Sequence, residues 1–328
     1  MRETPGGGPG EHGPVAGPGL RVTRLGHSTV VLDVPRADGG VARLVTDPLL
    51  RRHAGLLRRR GDRPDAAAWR GADAALLSHL HHDHAELGSL RLLGDVPVLT
   101  APANARGLRG KGLRGVGLDL PPAAAHPPGR DVARPAPHGA QHGAQHVPQH
   151  VPQHVPQHGG WHDVAGVQVL LTAAVHGDRP MPHRPNAASG HLVRGAGATV
   201  WAVGDTEHYA GVGHVRDLAG GRVDVALVPV SGWGPRLSGG HLGPRGAAEV
   251  CAEVRPRVAV PVHWGTLHVP GGQHLPRGWM DHAGEAFAAA CRRAAPDVRV
   301  VVLRPGGTWR DTPGDTPTDD DGLEHVFG

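Results

Sequence analysis

Aromatic side chains make up only 3% of this chain, with one tyrosine and two phenylalanines. A protein that stacks nucleic-acid bases needs such rings among its cations. Here the basic residues are nearly all arginine, lie scattered among Asp and Glu, and leave a formal net charge of only +4. No nucleic-acid partner is expected. Cysteine is equally scarce: Cys251 and Cys291 each sit in an Ala-rich, helix-like pattern and read as buried small apolar residues in a reducing compartment. No apolar run approaches the roughly 20 residues of a membrane span. Residues 1–19 are rich in Gly and Pro and lack the apolar core of a signal peptide. A soluble cytoplasmic protein with no membrane span is the expectation.

What the chain has in abundance is glycine (51), proline (32) and histidine (26) among 328 residues. So much Gly and Pro requires long loops or disorder. Residues 1–19 and the acidic, Pro/Thr-rich residues 310–328 are expected to be disordered, leaving one domain over residues 20–309. Within it, residues 121–160 change character. His138, His142, His146, His150, His154 and His158 recur every four residues, but Pro148, Pro152 and Pro156 forbid a regular helix. A low-complexity surface insertion is expected, able in principle to collect metal ions.

Elsewhere strands dominate. Residues 21–34 and 41–46 read as a hairpin about Asp38-Gly39-Gly40, with further strands at 96–100, 167–172, 189–194, 199–203, 223–229, 257–261 and 298–303. Helices are expected near 64–69, 86–93, 244–254 and 279–293. Residues 104–111 are at best weakly helical, because Gly107 and Gly110 interrupt them.

The densest chemistry lies at Ser78-His79-Leu80-His81-His82-Asp83-His84, directly after the apolar run Ala74 to Leu77. A buried strand ending in a loop is the natural reading. His79 and His81, two apart at a strand end, can grip one cation, while Asp83 and His84 can face a second. Imidazole and carboxylate suit zinc, with iron and manganese as alternatives. Three more apolar strands stop at polar residues able to bind metal: one runs on to His176, another to Gly204-Asp205-Thr206, a third to His263-Trp264-Gly265-Thr266. Loops at strand ends are where a rigid sheet holds ligands in fixed geometry.

These segments, with Leu25-Gly26-His27-Ser28 and Thr46-Asp47-Pro48, resemble the metallo-β-lactamase superfamily. Within it the chain looks like the branch of N-acyl phosphatidylethanolamine phospholipase D and L-ascorbate-6-phosphate lactonase. The resemblance covers about residues 20–305 and implies an α/β fold, a four-layer αββα sandwich with two metals at one edge. It implies that His79, His81 and His176 hold one metal, that Asp83, His84 and His263 hold the other, and that Asp205 bridges them. Asp83 and Asp205 would be the catalytic carboxylates. A hydroxide between two divalent ions, zinc foremost and Mn2+ or Fe2+ otherwise, would attack a phosphodiester or lactone-like ester of a small molecule. His27 and Asp47 match positions near the site, where they would orient ligands. Arg179 is placed to bind an anionic group, His208 and His241 are candidates to reach the cleft, and Trp233 and Trp264 to wall it. The alternatives are a nuclease of the same superfamily and a non-enzymatic metal buffer built on the His repeat.

The resemblance has gaps. Residues 180–190 lack aromatics, Gly243-Pro244-Arg245-Gly246 lacks acidic residues, and no amphipathic lipid-binding helix opens the chain. A membrane phospholipid is therefore not the expected substrate.

Overall fold

The computed structural model describes residues 19–121, 160–176 and 186–311. Residues 1–18, the His-rich repeat and residues 312–328 lie outside the described residues, as does Arg179. Two seven-stranded sheets pack face to face. The first runs in space Thr308–Arg310, Arg21–Gly26, Thr29–Pro35, Val41–Thr46, Ala74–Leu76, Val98–Thr100, Gly115–Gly117. The second runs Arg299–Val300, Val258–Val262, Val225–Pro229, Ala198–Ala202, Ser189–Gly195, Val167–Ala173, His162–Val164. A third, small sheet joins Leu267–His268, Leu57–Arg59 and His53–Ala54.

Strand alternation explains the layering. Val225 and Leu227 point into the core between the sheets, where they meet Val30, Leu32 and Leu44 of the first sheet. Ala226 and Val228 point the other way, onto the helices Pro244–Val254 and Ala283–Ala294 through Val250, Cys251, Phe287 and Cys291. Both faces of each such strand are thus dry, which is why these segments are apolar throughout rather than alternating. The first sheet repeats the scheme: Leu76 faces inward, while Ala75 and Leu77 face Leu90 and Leu108 of the helices Leu87–Leu92 and Pro102–Arg109. The result is the expected αββα sandwich. Both cysteines are free and buried, hydrogen-bonded to each other between two helices. Among the described residues no helix is long and apolar enough to cross a membrane.

Several elements depart from the sequence reading. Residues 21–34 form two strands, not one, because Gly26 and His27 take positive φ (122° and 50°) and turn the chain. Residues 102–109 form a full helix: Pro102 starts it, and Asn104, Ala105 and Leu108 are buried beneath it, which outweighs the cost of Gly107. The strand Gly115–Gly117 was not foreseen. Its glycine is required, since a Cβ at Gly115 would lie 2.5 Å from the carbonyl oxygen of Ala105 in that helix. The helix expected from residue 279 begins only at Ala283, and the strand expected over 298–303 shrinks to Arg299–Val300. A final strand, Thr308–Arg310, pairs with Arg21–Gly26, and Asp311 N–H still donates to Leu20 O at 2.8 Å. Order therefore runs past residue 309.

Candidate metal centre

Parallel strands of both sheets finish at the same edge of the sandwich, and loops at the carboxyl ends of such strands are where sites gather. Ala74–Leu76 leads to His79, Ala198–Ala202 to Asp205, and Val258–Val262 to His263. Val167–Ala173 adds His176. The loops are tied to one another: Val175 N–H donates to Thr206 Oγ1 at 2.9 Å, and Ser189 N–H to Ser78 O at 3.1 Å. Two buried arginines brace the edge from below. Arg24 donates to the carbonyls of Trp264 and Leu303, and Arg59 to those of Leu25 and Leu49. Burial lowers the pKa of Arg24 to about 9, and Arg59 beside it adds to the effect.

His79, His81 and His176 meet through their ring nitrogens. His79 Nε2 lies 2.9 Å from His81 Nδ1, which lies 3.0 Å from His176 Nε2. His79 and His81 therefore share one centre as expected from their spacing, although the strand has already ended at Leu76 and a loop brings them together. His84 Nε2 and His263 Nε2 are 3.1 Å apart, and each is 3.1 Å from Asp205 Oδ2. Asp83 Oδ2 stands 3.6 Å from His84 Nε2 and 3.5 Å from His263 Nε2. The structure thus gathers His79, His81, Asp83, His84, His176, Asp205 and His263 in one volume, with Asp205 in reach of both sets.

The outer nitrogens settle which tautomers are present. His84 Nδ1–H donates to Asp47 Oδ2 at 2.8 Å, His176 Nδ1–H to Gly240 O at 2.8 Å, and His263 Nδ1–H to Ser231 O at 2.7 Å. Ser78 Oγ–H donates to Asp47 Oδ2 at 2.8 Å, so its oxygen accepts from His79 Nδ1–H at 2.9 Å. With those protons placed outward, the inward Nε2 atoms carry lone pairs. Lone pairs facing each other and a carboxylate at about 3 Å repel unless a positive charge, a proton or a metal ion, lies among them. Asp205 Oδ1 is buried without a hydrogen-bond partner, a further acceptor in need of one. The donor set fits divalent metal ions.

The electrostatics of the cluster point the same way. Burial opposes protonation of His84, yet Asp205, Asp47 and Asp83 outweigh it and hold its pKa well above 6.5. His263 behaves alike and is raised to about 9, with Asp205 the main attraction. Asp83 and Asp205 are held well below the usual carboxylate range, burial notwithstanding, by His84 and His263. Burial keeps His79 well below 6.5 and His81 at about 4. The carboxylates thus favour positive charge at His84 and His263, whether a proton or a metal ion supplies it.

The other sequence candidates divide. Asp47, at φ 36°, orients His84 as above and also accepts Ser78 N–H at 2.8 Å. His27 Nε2 reaches Asp83 Oδ2 at 3.1 Å. His241 joins the cluster from the solvent side, its Nε2 3.4 Å from Asp205 Oδ2 and its ring 4.8 Å from that of His176. His208 is not brought in: it pairs with Glu253 at 2.6 Å on the surface. Trp264 packs in the core under Arg24, its indole N–H on Pro261 O at 3.0 Å, whereas Trp233 is 43% exposed. Sequence reading missed Asn186, whose Nδ2 lies 3.2 Å from His81 Nε2 while its Oδ1 accepts Leu80 N–H. It also missed the carbonyls of Gly240 and Ser231, which carry no side-chain signal.

Gly204 carries Asp205 through the narrowest point, at φ 71°, where a Cβ would sit 2.6 Å from Ser189 O and 3.1 Å from Ser78 Cβ. Gly204→Ala should cost about 2–4 kcal/mol. The check is a lower urea midpoint with unchanged slope; an unchanged midpoint would contradict the geometry.

Two sheets flanked by helices, with a His/Asp cluster at the edge where their strands end, define the metallo-β-lactamase fold. The family described as Beta-lactamase superfamily domain matches residues 42–264, and the chain belongs to it. Among relatives, a UPF0173 metal-dependent hydrolase of Thermococcus kodakarensis is 31% identical over 105 residues, covering 31% of this chain and 43% of that protein. One from Symbiobacterium thermophilum is 29% identical over 145 residues, covering 43% and 54%. The chain thus spans about half the length of these curated relatives. One from Pyrococcus furiosus is 23% identical over 296 residues, 88% of this chain and 97% of that one. Solved structures with the same fold include Igni18, a metallo hydrolase of Ignicoccus hospitalis (TM-score 0.57, 19% identity, 89% and 98% covered). Another is CmlA, a diiron β-hydroxylase from Streptomyces venezuelae (TM-score 0.55, 16% identity, 91% and 55% covered).

Proposed function

We propose that the protein is a metal-dependent hydrolase that holds two divalent cations, zinc foremost, and cleaves a phosphodiester or lactone-like ester of a small molecule. The observation that carries this reading is the set of inward imidazole lone pairs around Asp205, each fixed by an outward hydrogen bond to an acceptor. His79, His81 and His176 would hold one cation, and Asp83, His84 and His263 the other, with Asp205 between. The relatives named metal-dependent hydrolases support the class of activity, and the diiron neighbour keeps iron in view beside zinc and manganese. The finer likeness to the phospholipase D and ascorbate-phosphate lactonase branch rests on the motifs alone.

Bound cations would supply Lewis acidity toward a phosphoryl or carbonyl oxygen and a depressed pKa for water. The chain's own groups do the rest. Asp47, Gly240 and Ser231 keep the imidazoles in the ligating tautomer. Asp83 and Asp205 stay ionised, and Asp83 can also orient the attacking water or relay its proton. His241, with Nδ1 turned to the carbonyls of Ser238 and Gly239 at 3.2 Å, sets its Nε2 3.4 Å from Asp205 Oδ2 at the mouth, within reach of a bound substrate.

Chelator-stripped protein reloaded with Zn2+, Mn2+ or Fe2+ tests the proposal against an aryl phosphodiester, a lactone and a thioester. Turnover should vanish on stripping and return with the second equivalent of metal. Uptake of less than one equivalent, or turnover indifferent to metal, would refute it.

A further inference from the structure

We propose that His27 is a positioning residue: its Nε2–H holds Asp83 Oδ2 and thereby sets the oxygen that Asp83 presents beside His84 and His263. The proposal rests on the two-cation reading above.

His27 is fully buried, its Nε2 is 3.1 Å from Asp83 Oδ2, and its Nδ1 has no partner. One ring proton must be placed on one of the two nitrogens. On Nδ1 it would leave a buried N–H with no acceptor and set the Nε2 lone pair against a carboxylate oxygen. On Nε2 it satisfies the donor and leaves unpaired only an acceptor, the less costly orphan. The geometry therefore selects the Nε2–H form, in which that nitrogen donates to Asp83 and cannot itself be a ligand.

The backbone of the same residue grips the other side of the centre. His27 C=O accepts His263 N–H at 2.9 Å, and His27 N–H donates to Thr266 Oγ1 at 2.7 Å. Its ring lies 4.0 Å from that of His263. A non-glycine residue at φ 50° persists only where its surroundings require that backbone. One residue thus fixes both Asp83 and the strand end that carries His263. Its ring and backbone contacts are with Asp83, His84, His263 and Thr266, so its influence falls on one of the two cation positions.

Two substitutions separate this role from mere packing. His27→Asn tolerates the left-handed backbone, but its amide reaches only as far as Nδ1 did; His27→Gln places an N–H where Nε2 was. Stripped protein is titrated with Co2+, following the visible d–d bands and the heat of binding. The wild type should take two equivalents, His27→Asn the first normally and the second about 10–100-fold more weakly, and His27→Gln both within about threefold of wild type. Equal binding by His27→Asn and wild type, or equal weakening of both equivalents, would overturn the proposal. If His27→Asn does not fold, the glutamine variant decides: two normal equivalents support the role and a weakened second one overturns it. A wild type that takes fewer than two equivalents refutes the two-cation reading itself, whatever the variants do.

Discussion

Asp205→Asn should lower kcat/KM at least about 10³-fold while leaving the fold in place. Asparagine keeps the shape of the side chain but removes the charge that faces His84 Nε2 and His263 Nε2, both at 3.1 Å. An amide oxygen is a poor ligand for a dication, and the amide hydrogens would confront lone pairs on only one side. Both sets of donors lose their shared anion at once, so the metal content should fall together with turnover. Truncating a partner in a buried charge cluster typically costs about 3–5 kcal/mol, and here it removes the main attraction that holds a proton on His263. The variant should therefore melt lower than wild type, while its far-UV spectrum, with the side chain's shape kept, stays the same. Retention of both cations with turnover within about tenfold would remove Asp205 from the mechanism.

The second large effect is on stability against pH. In metal-free protein His263 has its pKa raised from 6.5 to about 9, and His84 is raised as well. A raised folded-state pKa means that the native form binds the proton more tightly than the unfolded chain does. The resulting stability is complete below about 6.5 and is lost as pH climbs through about 9. For His263 alone this amounts to about 3 kcal/mol. On the acid side the sign reverses. Burial lowers His27 to about 3 and His81 to about 4, so the unfolded chain takes up protons that the native one refuses, and stability falls below about 6.5. Asp83 and Asp205, held low, add to that acid loss once pH drops under the normal carboxylate range. Chelated protein should thus melt highest near pH 6.5 and lose about 5–10 °C by pH 9.5. Metal-loaded protein should melt higher throughout, by about 4 kcal/mol at a thousandfold excess over Kd, and should show no alkaline decline, since cations stand where the protons were. Differential scanning calorimetry from pH 5 to 10 checks both; parallel curves for the two forms would contradict the assignment.

Much of the centre could be read from the chain because its donors follow apolar runs. His79, Asp83 and His84 stand within six positions of one another, and Asp205 and His263 each end a strand whose both faces are buried. What escaped reading was of two kinds. Backbone groups such as Gly240 O and Ser231 O are defined by loop geometry and leave no trace in residue identity. Asn186 and His208 show the other kind: one polar residue reaches in and the other pairs outward with Glu253, and nothing local distinguishes them. For the fold, the glycines misled. Gly107 argued against a helix that buried Ala105 and Leu108 hold in place, and the unforeseen strand Gly115–Gly117 is one that only glycine could bring so close to that helix.

Thr308–Arg310 belongs in space to the first sheet, although every other strand there precedes residue 118. The far end of the described chain therefore crosses back over the seam like a clasp, with Trp309 seated among side chains of both halves. A backbone cut between positions 121 and 160 would leave two interlocked pieces, not two loose ones. That stretch is accordingly the natural place to divide the gene if the protein is ever to be assembled from separately made fragments.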